Sequence, residues 1–210
     1  GEAAYCIAKG LKAQEFEQIY AYDVVLEQRN SIPETVNLIQ RRAHEAGVQL
    51  VSSLYDLIHL CHIVVSSVPA SFANEVAQQV LDLGCGQCEL FVDVTTSIPG
   101  DKEAMSCRFN QKGIAYADSA MMGSLPQYGH KVPMLVSGNG AEQWIDTMKP
   151  YGMIMEFVGQ KAGRSTTLKL IRSVFMKGLE ALAVETLMSA RKAGVENEIL
   201  ESITKSVEDG

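Results

Sequence analysis

Apolar positions follow two different spacings along roughly the first 160 residues. Short continuous apolar runs, typical of buried strands, alternate with segments in which apolar residues recur every three or four positions, as on one face of a helix. The runs predict strands at residues 18–23, 48–52, 61–68, 90–94, 113–117, 134–137 and 153–158. The periodic segments predict helices at residues 3–12, 32–46, 53–60, 71–83 and 141–149. Strands alternating with helices are joined by crossovers, so we expect a mainly parallel sheet covered on both faces.

Two helix starts carry local signals. Pro33 lies in the first turn of the helix predicted at 32–46, and Ser31 is its expected N-cap. Pro99 is expected at the first position of the helix that follows the strand at 90–94.

The pattern changes after Gly159. Residues 165–193 form one long helical stretch without proline, Gly194 closes it, and a further helix is predicted at 196–207. We therefore expect a domain boundary near residues 159–163, with an α/β domain at 1–160 and the start of an all-helical domain at 161–210. The chain opens directly at a helix, whereas the first strand of a doubly wound sheet is central. We expect that this strand is missing from the chain and that the helical domain is truncated.

Composition narrows the classes of partner. Of the 210 residues, 47% are hydrophobic and 20% charged, and the formal net charge is −7. An acidic chain without a cluster of basic residues repels phosphate backbones, so we expect no nucleic-acid partner. We also expect no membrane partner, because 18 or more consecutive apolar residues do not occur. Five scattered cysteines without a secretory signal favour the reducing cytoplasm.

The first residues resemble part of a dinucleotide-binding motif. Gly1 and Ala4 have the spacing of the last half of G-x-G-x-x-(G/A), in which a glycine allows close approach of a pyrophosphate to a helix N-terminus. Asp23 closes the next predicted strand, where a carboxylate would accept hydrogen bonds from ribose hydroxyls. The alternative is a solvated acid in a turn. A carboxylate at this position favours NAD over NADP, although Arg29 nearby leaves NADP open.

Two loops follow predicted strands at the edge where open α/β sheets bind ligands. Val68 and Pro69 end one strand, and the segment 93–99 (DVTTSIP) ends the next. Thr95, Thr96 and Ser97 supply hydroxyl groups there. The pattern is equally typical of a serine/threonine turn with a helix cap.

Lys169 is the most informative charged residue. It lies in an apolar helical stretch just after the predicted boundary, and Arg172 and Ser173 share its helix face. Burial in a cleft lowers the pKa of a lysine and suits it to acid–base chemistry. The alternative is a solvated stripe that includes Lys177 and Glu180.

Other reactive side chains are weaker candidates. Cys85 and Cys88 form a C-x-x-C motif, but it follows a helix instead of opening one, which does not favour redox chemistry. His59, Cys61 and His62 lie too close together along the chain for a zinc site, and we expect no metal. His130 lies in a turn-rich loop, where a structural role is favoured.

Together these residues resemble the β-hydroxyacid dehydrogenase superfamily, which includes 3-hydroxyisobutyrate and 6-phosphogluconate dehydrogenases. Residues 93–99 are similar to its D-x-S-T-x-x-P segment, 118–123 (DSAMMG) to its D-A-P-V-S-G substrate loop, and 163–169 to its G-x-G-x-x-x-K segment. The resemblance implies a Rossmann-type doubly wound sheet followed by an all-helical C-terminal domain. It implies cofactor contacts from Gly1, Glu2, Ala3, Asp23, Val68, Pro69, Ala73 and Thr96. It implies Lys169 as the catalytic residue and substrate contacts from Met122, Gly123, Arg172 and Ser173.

The chain departs from the family pattern at the substrate residues. Met122 replaces the serine of the substrate loop, and Arg172 and Ser173 replace a pair of asparagines. Two segments, at 129–138 and 168–182, resemble a poorly characterised phosphogluconate-dehydrogenase-like branch. The lysine at 169 does not favour an imine-reductase-like role.

The resemblance implies an NAD(P)-dependent oxidoreductase, with NAD favoured, that transfers a hydride between nicotinamide and a small hydroxy or oxo acid. Lys169 is then the general acid or base, and Arg172 grips the anionic group of the substrate. The resemblance also implies a homodimer or homotetramer assembled through the helical domain. The alternative is a non-catalytic Rossmann protein that binds a nucleotide as a sensor or scaffold. Met122 and Arg172 favour this alternative, because they replace the usual substrate residues. A purely structural module would explain neither the threonine loop nor Lys169.

Overall fold

The computed structural model describes residues 1–28 and 31–208. They divide into two compact units, Gly1–Lys169 and Leu170–Gly210. The strands are β1 (Tyr20–Ala21), β2 (Gln49–Leu50), β3 (Ile63–Ser66), β4 (Leu90–Asp93), β5 (Ala115–Met121), β6 (Met134–Ser137) and β7 (Met155–Gly159). The helices are α1 (Glu2–Ala13), α2 (Pro33–Glu45), α3 (Leu54–Leu60), α4 (Ala73–Asp82), α5 (Pro99–Gln111), α6 (Leu125–Tyr128), α7 (Ala141–Met148), α8 (Arg164–Ala193) and α9 (Glu196–Glu208).

The strands of the first unit form two sheets. β1 and β2 pair in parallel, and a five-stranded sheet has the order β3-β4-β5-β6-β7. All of its neighbouring pairs are parallel except β5 and β6, which are antiparallel. The connection between β5 and β6 contains the short helix α6 and a 3-10 turn at Gly129–Lys131, and a close return of this kind favours antiparallel pairing over a crossover. The expected α/β fold with a mainly parallel sheet is confirmed.

Both faces of the five-stranded sheet are covered. On one face Phe91 and Tyr116 pack against Phe109 of α5, together with residues of α3 and α4. On the other face, β4, β5 and β6 pack against α1 and α7. Trp144, the one tryptophan of the chain, is fully buried there, and its indole N–H has no hydrogen-bond partner within the described residues. The apolar runs thus become strands that are buried on both sides.

The strands predicted at 18–23, 48–52 and 61–68 are shorter in the structure, as β1, β2 and β3, and two further local predictions are corrected. The strand expected at 113–117 extends to Met121 as β5, so it includes the buried polar residues Asp118 and Ser119. Ser31 is not the cap of α2, because Ile32 is the N-cap and the Ser31 hydroxyl donates a hydrogen bond to the Val25 carbonyl. Pro99 does begin α5, as expected.

The second unit comprises the rest of α8 and helix α9. Val174 is 76% exposed and Phe175 is 68% exposed, and Leu182 and Met188 are also exposed. Gly194 has a left-handed φ of 72° between α8 and α9, a conformation that glycine adopts without strain. In the described part of the chain, no helix is both long and apolar enough to cross a membrane. The functional roles predicted for the two parts of the chain stay predictions.

Candidate functional site

A row of four buried polar residues crosses the five-stranded sheet. Ser66, Asp93, Asp118 and Ser137 are direct neighbours in the strand register, one on each of β3 to β6. Ser66 and Asp93 are the last residues of their strands. The row therefore lies close to the carboxyl edge, where parallel sheets bind their ligands. Two carboxylates at such a place require positive partners, because burial of an unpaired charge is costly.

Lys102 of α5 supplies the positive charge. Its side chain is 1% exposed, and its Nζ lies 2.8 Å from Asp118 Oδ1 and 3.1 Å from Asp93 Oδ2. The sequence reasoning missed this residue because lysines on helices are usually solvated. Its spacing does carry a signal, since Lys102 stands three, four and seven positions before buried residues of the same helix: Met105, Ser106 and Phe109.

The start of α8 is bound to the Asp118 carboxylate. Oδ2 accepts hydrogen bonds from the backbone N–H groups of Gly163 (3.2 Å) and Thr166 (3.0 Å), and Oδ1 accepts one from the Thr166 hydroxyl (2.7 Å). The Ser165 hydroxyl donates to the Asp118 carbonyl at 2.8 Å. Asp118 thus caps α8 from a distant part of the sequence and satisfies N–H groups that have no partner inside the helix.

Asp93 organises the loops after β3 and β4. Its Oδ1 accepts from the Thr95 N–H (2.8 Å) and its Oδ2 from the Tyr116 hydroxyl (3.2 Å). Burial, followed by the charge of Asp93, raises the pKa of Tyr116 well above its ordinary value, so Tyr116 remains a donor. The Thr95 hydroxyl donates to the Val68 carbonyl (3.1 Å) and accepts from the Val68 N–H (3.3 Å). Thr95 therefore joins the two loops and is not free for a ligand.

Lys169 lies six residues into α8 and is half-buried. Within the described residues its ammonium group forms neither a hydrogen bond nor an ion pair. Burial lowers the pKa of Lys169, the positive charge of Lys102 lowers it further, and Asp118 partly opposes both effects. The alternative of a fully solvated lysine does not describe this environment. An amine with a lowered pKa and no partner can accept or donate a proton.

The residues predicted to hold a dinucleotide begin at α1. Gly1 is the N-cap of α1, and the cap contains no side-chain hydrogen bond. The first turn of the helix begins with Glu2, which is exposed, and Ala3, which is half-buried. Asp23 Oδ1 accepts a hydrogen bond from the Val25 N–H (3.1 Å), and in the described residues its second oxygen has no partner. Arg29, the expected route to NADP, lies outside the described residues.

The remaining predicted cofactor residues lie after β3 and β4. Val68 and Pro69 lead into a short 3-10 turn, and Ala73 is buried at the first position of α4. Thr96 is half-buried, and its hydroxyl has no partner among the described residues. The buried hydroxyls of Ser66 and Ser97 likewise lack a partner in that part of the chain.

These groups fit a nicotinamide dinucleotide. The first turn of α1 offers N–H groups to a pyrophosphate, and the second oxygen of Asp23 can accept from a ribose. The unpartnered hydroxyls at the end of β3 and after β4 are donors of the kind that a ribose or carboxamide requires.

The predicted substrate residues fall in both units. Met122 follows β5 directly, is half-buried, and donates its N–H to the Pro133 carbonyl at 2.7 Å. Gly123 is exposed, and a Cβ there would lie 3.3 Å from the Tyr128 ring. Arg172 is exposed and Ser173 is half-buried, and both belong to the second unit on α8.

The weaker candidates have structural environments. Cys85 and Cys88 are buried, and burial raises the pKa of the Cys88 thiol to about 12, which does not favour a reactive thiolate. His130 is buried, with its Nε2 3.2 Å from the Tyr151 carbonyl oxygen, and burial lowers its pKa. In the described residues no group of three or more His, Cys, Asp or Glu side chains is arranged to hold a metal ion.

Comparison with curated proteins finds distant relatives, whereas no family model matches the chain. An uncharacterised 28.5 kDa protein of Methanothermus fervidus is 28% identical over 164 residues, which are 78% of this chain and 62% of that protein. An NADH-dependent oxidoreductase of Aspergillus ustus is 23% identical over 156 residues, which are 74% of this chain and 51% of that protein. The chain thus spans between one half and two thirds of the length of these relatives.

Solved structures share the fold over nearly the whole chain. A conserved hypothetical protein from Sinorhizobium meliloti 1021 is 31% identical with a TM-score of 0.77, covering 98% of this chain and 67% of that chain. The conserved protein MTH1747, of unknown function and structurally similar to 3-hydroxyacid dehydrogenases, is 27% identical with a TM-score of 0.78, covering 99% and 74%. A 3-hydroxyisobutyrate dehydrogenase from Mycobacterium tuberculosis has the same fold, with 16% identity and a TM-score of 0.78, covering 98% and 67%.

The fold and these neighbours define a Rossmann-type α/β protein with a helical C-terminal part. The chain belongs to the β-hydroxyacid dehydrogenase superfamily. Imine reductases share the fold too: one from Myxococcus stipitatus, solved as a variant with NAD⁺, is 20% identical with a TM-score of 0.77, covering 100% of this chain and 69% of that chain. Another structure of a Myxococcus stipitatus imine reductase contains NADP⁺.

Proposed function

We propose that the protein is an NAD(P)-dependent oxidoreductase that transfers a hydride between nicotinamide and a small hydroxy or oxo acid, with NAD as the preferred cofactor. When bound, the nicotinamide supplies or accepts the hydride. Lys169 takes the proton from the substrate hydroxyl in oxidation and returns it to the developing oxyanion in reduction. Arg172 binds the anionic group of the substrate through its planar guanidinium.

One observation carries this proposal. Lys169 is half-buried, has no ion pair within the described residues, and has a lowered pKa, although two carboxylates are present in the neighbouring polar row. Those carboxylates are already engaged by Lys102, Tyr116 and the start of α8. A sensor or scaffold has no requirement for an amine kept free in this way, whereas an acid–base catalyst does.

The preference for NAD rests on Asp23. One of its oxygens caps the turn after β1, which fixes the carboxylate in place. A fixed carboxylate accepts hydrogen bonds from two ribose hydroxyls and repels a 2′-phosphate. We also propose a cytoplasmic location, which agrees with five cysteines that are all free.

The first test measures cofactor binding and turnover separately. NADH and NADPH are titrated against the protein by nicotinamide fluorescence, and small hydroxy acids are then screened for turnover. We expect tighter binding of NADH, and a turnover that falls by about a hundredfold or more in Lys169→Ala, the range of general acid–base contributions. Cofactor affinity is expected to survive in that variant.

Lys177→Ala is the matched control, because Lys177 is an exposed lysine eight positions further along the same helix. Its turnover should equal that of the wild type. Binding of NADH without turnover of any hydroxy acid, or of any oxo acid in the reverse direction, would favour the sensor. Absence of nucleotide binding would rule out both functions.

We further propose that the protein assembles as a homodimer or homotetramer through the helical part. The support is the set of large exposed apolar side chains on α8, since large exposed apolar patches often mark surfaces that bind another protein chain. Sedimentation velocity should show an oligomer that Phe175→Asp weakens. Val24→Asp, at an exposed apolar residue of the first unit, should leave the oligomer intact.

A further inference from the structure

Lys102 is the most deeply buried cation of the described chain, and the chemistry proposed above does not use it. It also bears on Lys169, because the charges of Lys102 and of its partner Asp118 both shift the pKa of the Lys169 amine. We propose that Lys102 is a positioning residue for Lys169, acting through the Asp118 carboxylate that joins α5 to the start of α8. This inference rests on the proposed function, in which Lys169 is the general acid or base.

The geometry of Asp118 is the first support. Oδ1 is shared by Lys102 Nζ (2.8 Å) and the Thr166 hydroxyl (2.7 Å), while Oδ2 accepts from the N–H groups of Gly163 and Thr166. Oδ1 therefore joins α5 to α8, whereas Oδ2 is held by the start of α8. The ammonium of Lys102 is the one charged partner of this carboxylate within the described residues, and a charged donor makes the stronger kind of hydrogen bond.

A close backbone approach is the second support. Gly163 has a left-handed φ of 87°, and a Cβ at this position would collide with the Pro99 carbonyl oxygen. The starts of α5 and α8 are thus packed backbone to backbone beside Asp118. Lys169 follows within two turns of α8, a distance over which a helix is stiff. A change in the direction of the Asp118 carboxylate is therefore transmitted to Lys169.

The charges of the row supply the third support. Two carboxylates, Asp93 and Asp118, face one ammonium, while Tyr116 is held protonated. The positive ends of the α5 and α8 dipoles add to the ammonium, so the row is close to neutral overall. Without Lys102 the row would become strongly negative and would stabilise the charged form of Lys169.

A merely structural role for Lys102 makes a different prediction. A buried ion pair that only holds α5 against the sheet would lower stability when broken, and loss of its charge would raise the pKa of Lys169 without any movement of Asp118. The titration of Lys169 is therefore read together with amide hydrogen exchange at Thr166, which becomes faster only if the Asp118 carboxylate is no longer fixed.

The experiment follows Lys169 directly. Lysines of the protein are reductively methylated with ¹³C-formaldehyde, the Lys169 resonance is assigned by its loss in Lys169→Arg, and its pKa is measured by NMR. We expect the pKa of Lys169 to rise in Lys102→Met. Lys161→Met is the matched control, because Lys161 also pairs with a residue of α5, Glu103 at 2.9 Å, but is 70% exposed. The control should leave the titration of Lys169 unchanged.

A second pair of variants keeps the test informative if Lys102→Met fails to fold. Lys102→Met combined with Asp93→Asn removes one charge of each sign and leaves the Asp118 cap of α8 in place. The Lys169 pKa should still rise in this double variant, compared with Asp93→Asn alone. Amide hydrogen exchange at Thr166 should also become faster, because its acceptor is no longer fixed.

An unchanged Lys169 titration in either folded Lys102 variant would overturn the proposal. The readout needs no substrate, so it is independent of the proposed reaction. A raised pKa with faster hydrogen exchange at Thr166, together with absence of turnover on every acid, would support the positioning role and contradict the dehydrogenase. Turnover without any change in the Lys169 pKa would support the dehydrogenase and contradict the positioning role.

Discussion

The two units of this chain differ in how far they bury large apolar side chains. Phe109 of the first unit is 0% exposed and stacks on Phe91, whereas Phe175 of the second unit is 68% exposed. A sheet with helices on both faces encloses its apolar residues, but a long helix followed by one more helix has no layer to close over them. The composition of a segment therefore does not decide its burial; the number of layers does.

This difference has an energetic consequence. In the first unit, removal of apolar area from water stabilises the fold by about 25 cal/mol for each Å². In the second unit most of the large apolar side chains gain nothing of this kind within the chain. Any stabilisation from them must come from a surface that covers α8 and α9.

The largest expected contrast is between two phenylalanine substitutions. Phe109→Ala should lower the free energy of unfolding by about 3–5 kcal/mol, because it opens a cavity in a dense core. Phe175→Ala should change it by less than about 0.5 kcal/mol, as for an exposed position. Both are measured by urea unfolding at a protein concentration low enough to give single chains. A cost for Phe175→Ala comparable to that for Phe109→Ala at this dilution would contradict the contrast.

A second contrast uses one substitution in the interior of two helices. A Cβ at Gly10 of α1 would collide with the buried His130 ring, so Gly10→Ala should destabilise the protein by about 1–3 kcal/mol. At Gly178 of α8 nothing in the described structure lies within 4 Å of the Cβ position. Gly178→Ala should therefore stabilise the helix by about 0.5–1 kcal/mol.

Thermal unfolding at low concentration measures both glycine variants. If Gly178→Ala destabilises the protein only at high protein concentration, a second molecule lies against this face of α8. If Gly10→Ala is neutral, the His130 ring can move aside and the contact with α1 is not rigid.

The smallest contrast concerns two lysines of α8. The pKa of Lys169 is lowered in the folded state, so above that pKa the unfolded chain binds more protons than the folded one. Stability relative to Lys169→Met should therefore rise with pH, from below the folded pKa of Lys169 up to the ordinary value of a lysine. Lys177→Met, at an exposed position, should show no such slope. Urea unfolding at a series of alkaline pH values compares the two, and equal slopes would place both lysines in similar environments.

Periodicity was sufficient for most of the sheet and its helices. The strand at 134–137 was predicted with the bounds of β6, and α5 begins at Pro99 as expected. Local signals of this kind depend on neighbouring residues alone, such as apolar runs and the fixed φ of proline. They failed for Ser31, whose hydroxyl bonds to Val25 instead of capping α2.

The core of the candidate site could not be predicted in the same way. Asp118 and Ser119 ended the predicted strand because polar residues interrupt an apolar run, yet both are fully buried in β5. Asp118 is stabilised by Lys102, sixteen residues earlier, and by Thr166, forty-eight residues later. Partners at such separations are invisible to a pattern read along the chain. Lys169 stands out in the sequence because it lies in an apolar helical stretch, whereas the lowering of its pKa by burial and by the charge of Lys102 depends on the fold.

The burial of Trp144 in the first unit makes it an optical label for that unit alone. Fluorescence excited at the red edge of protein absorption arises from tryptophan, and the second unit has none. Far-ultraviolet circular dichroism, by contrast, reports the helices of both units, including α8 and α9. The two signals should therefore separate whenever the units unfold independently and coincide whenever they unfold together. Without any added label, the native chain therefore reports whether its two units unfold as one cooperative body or separately.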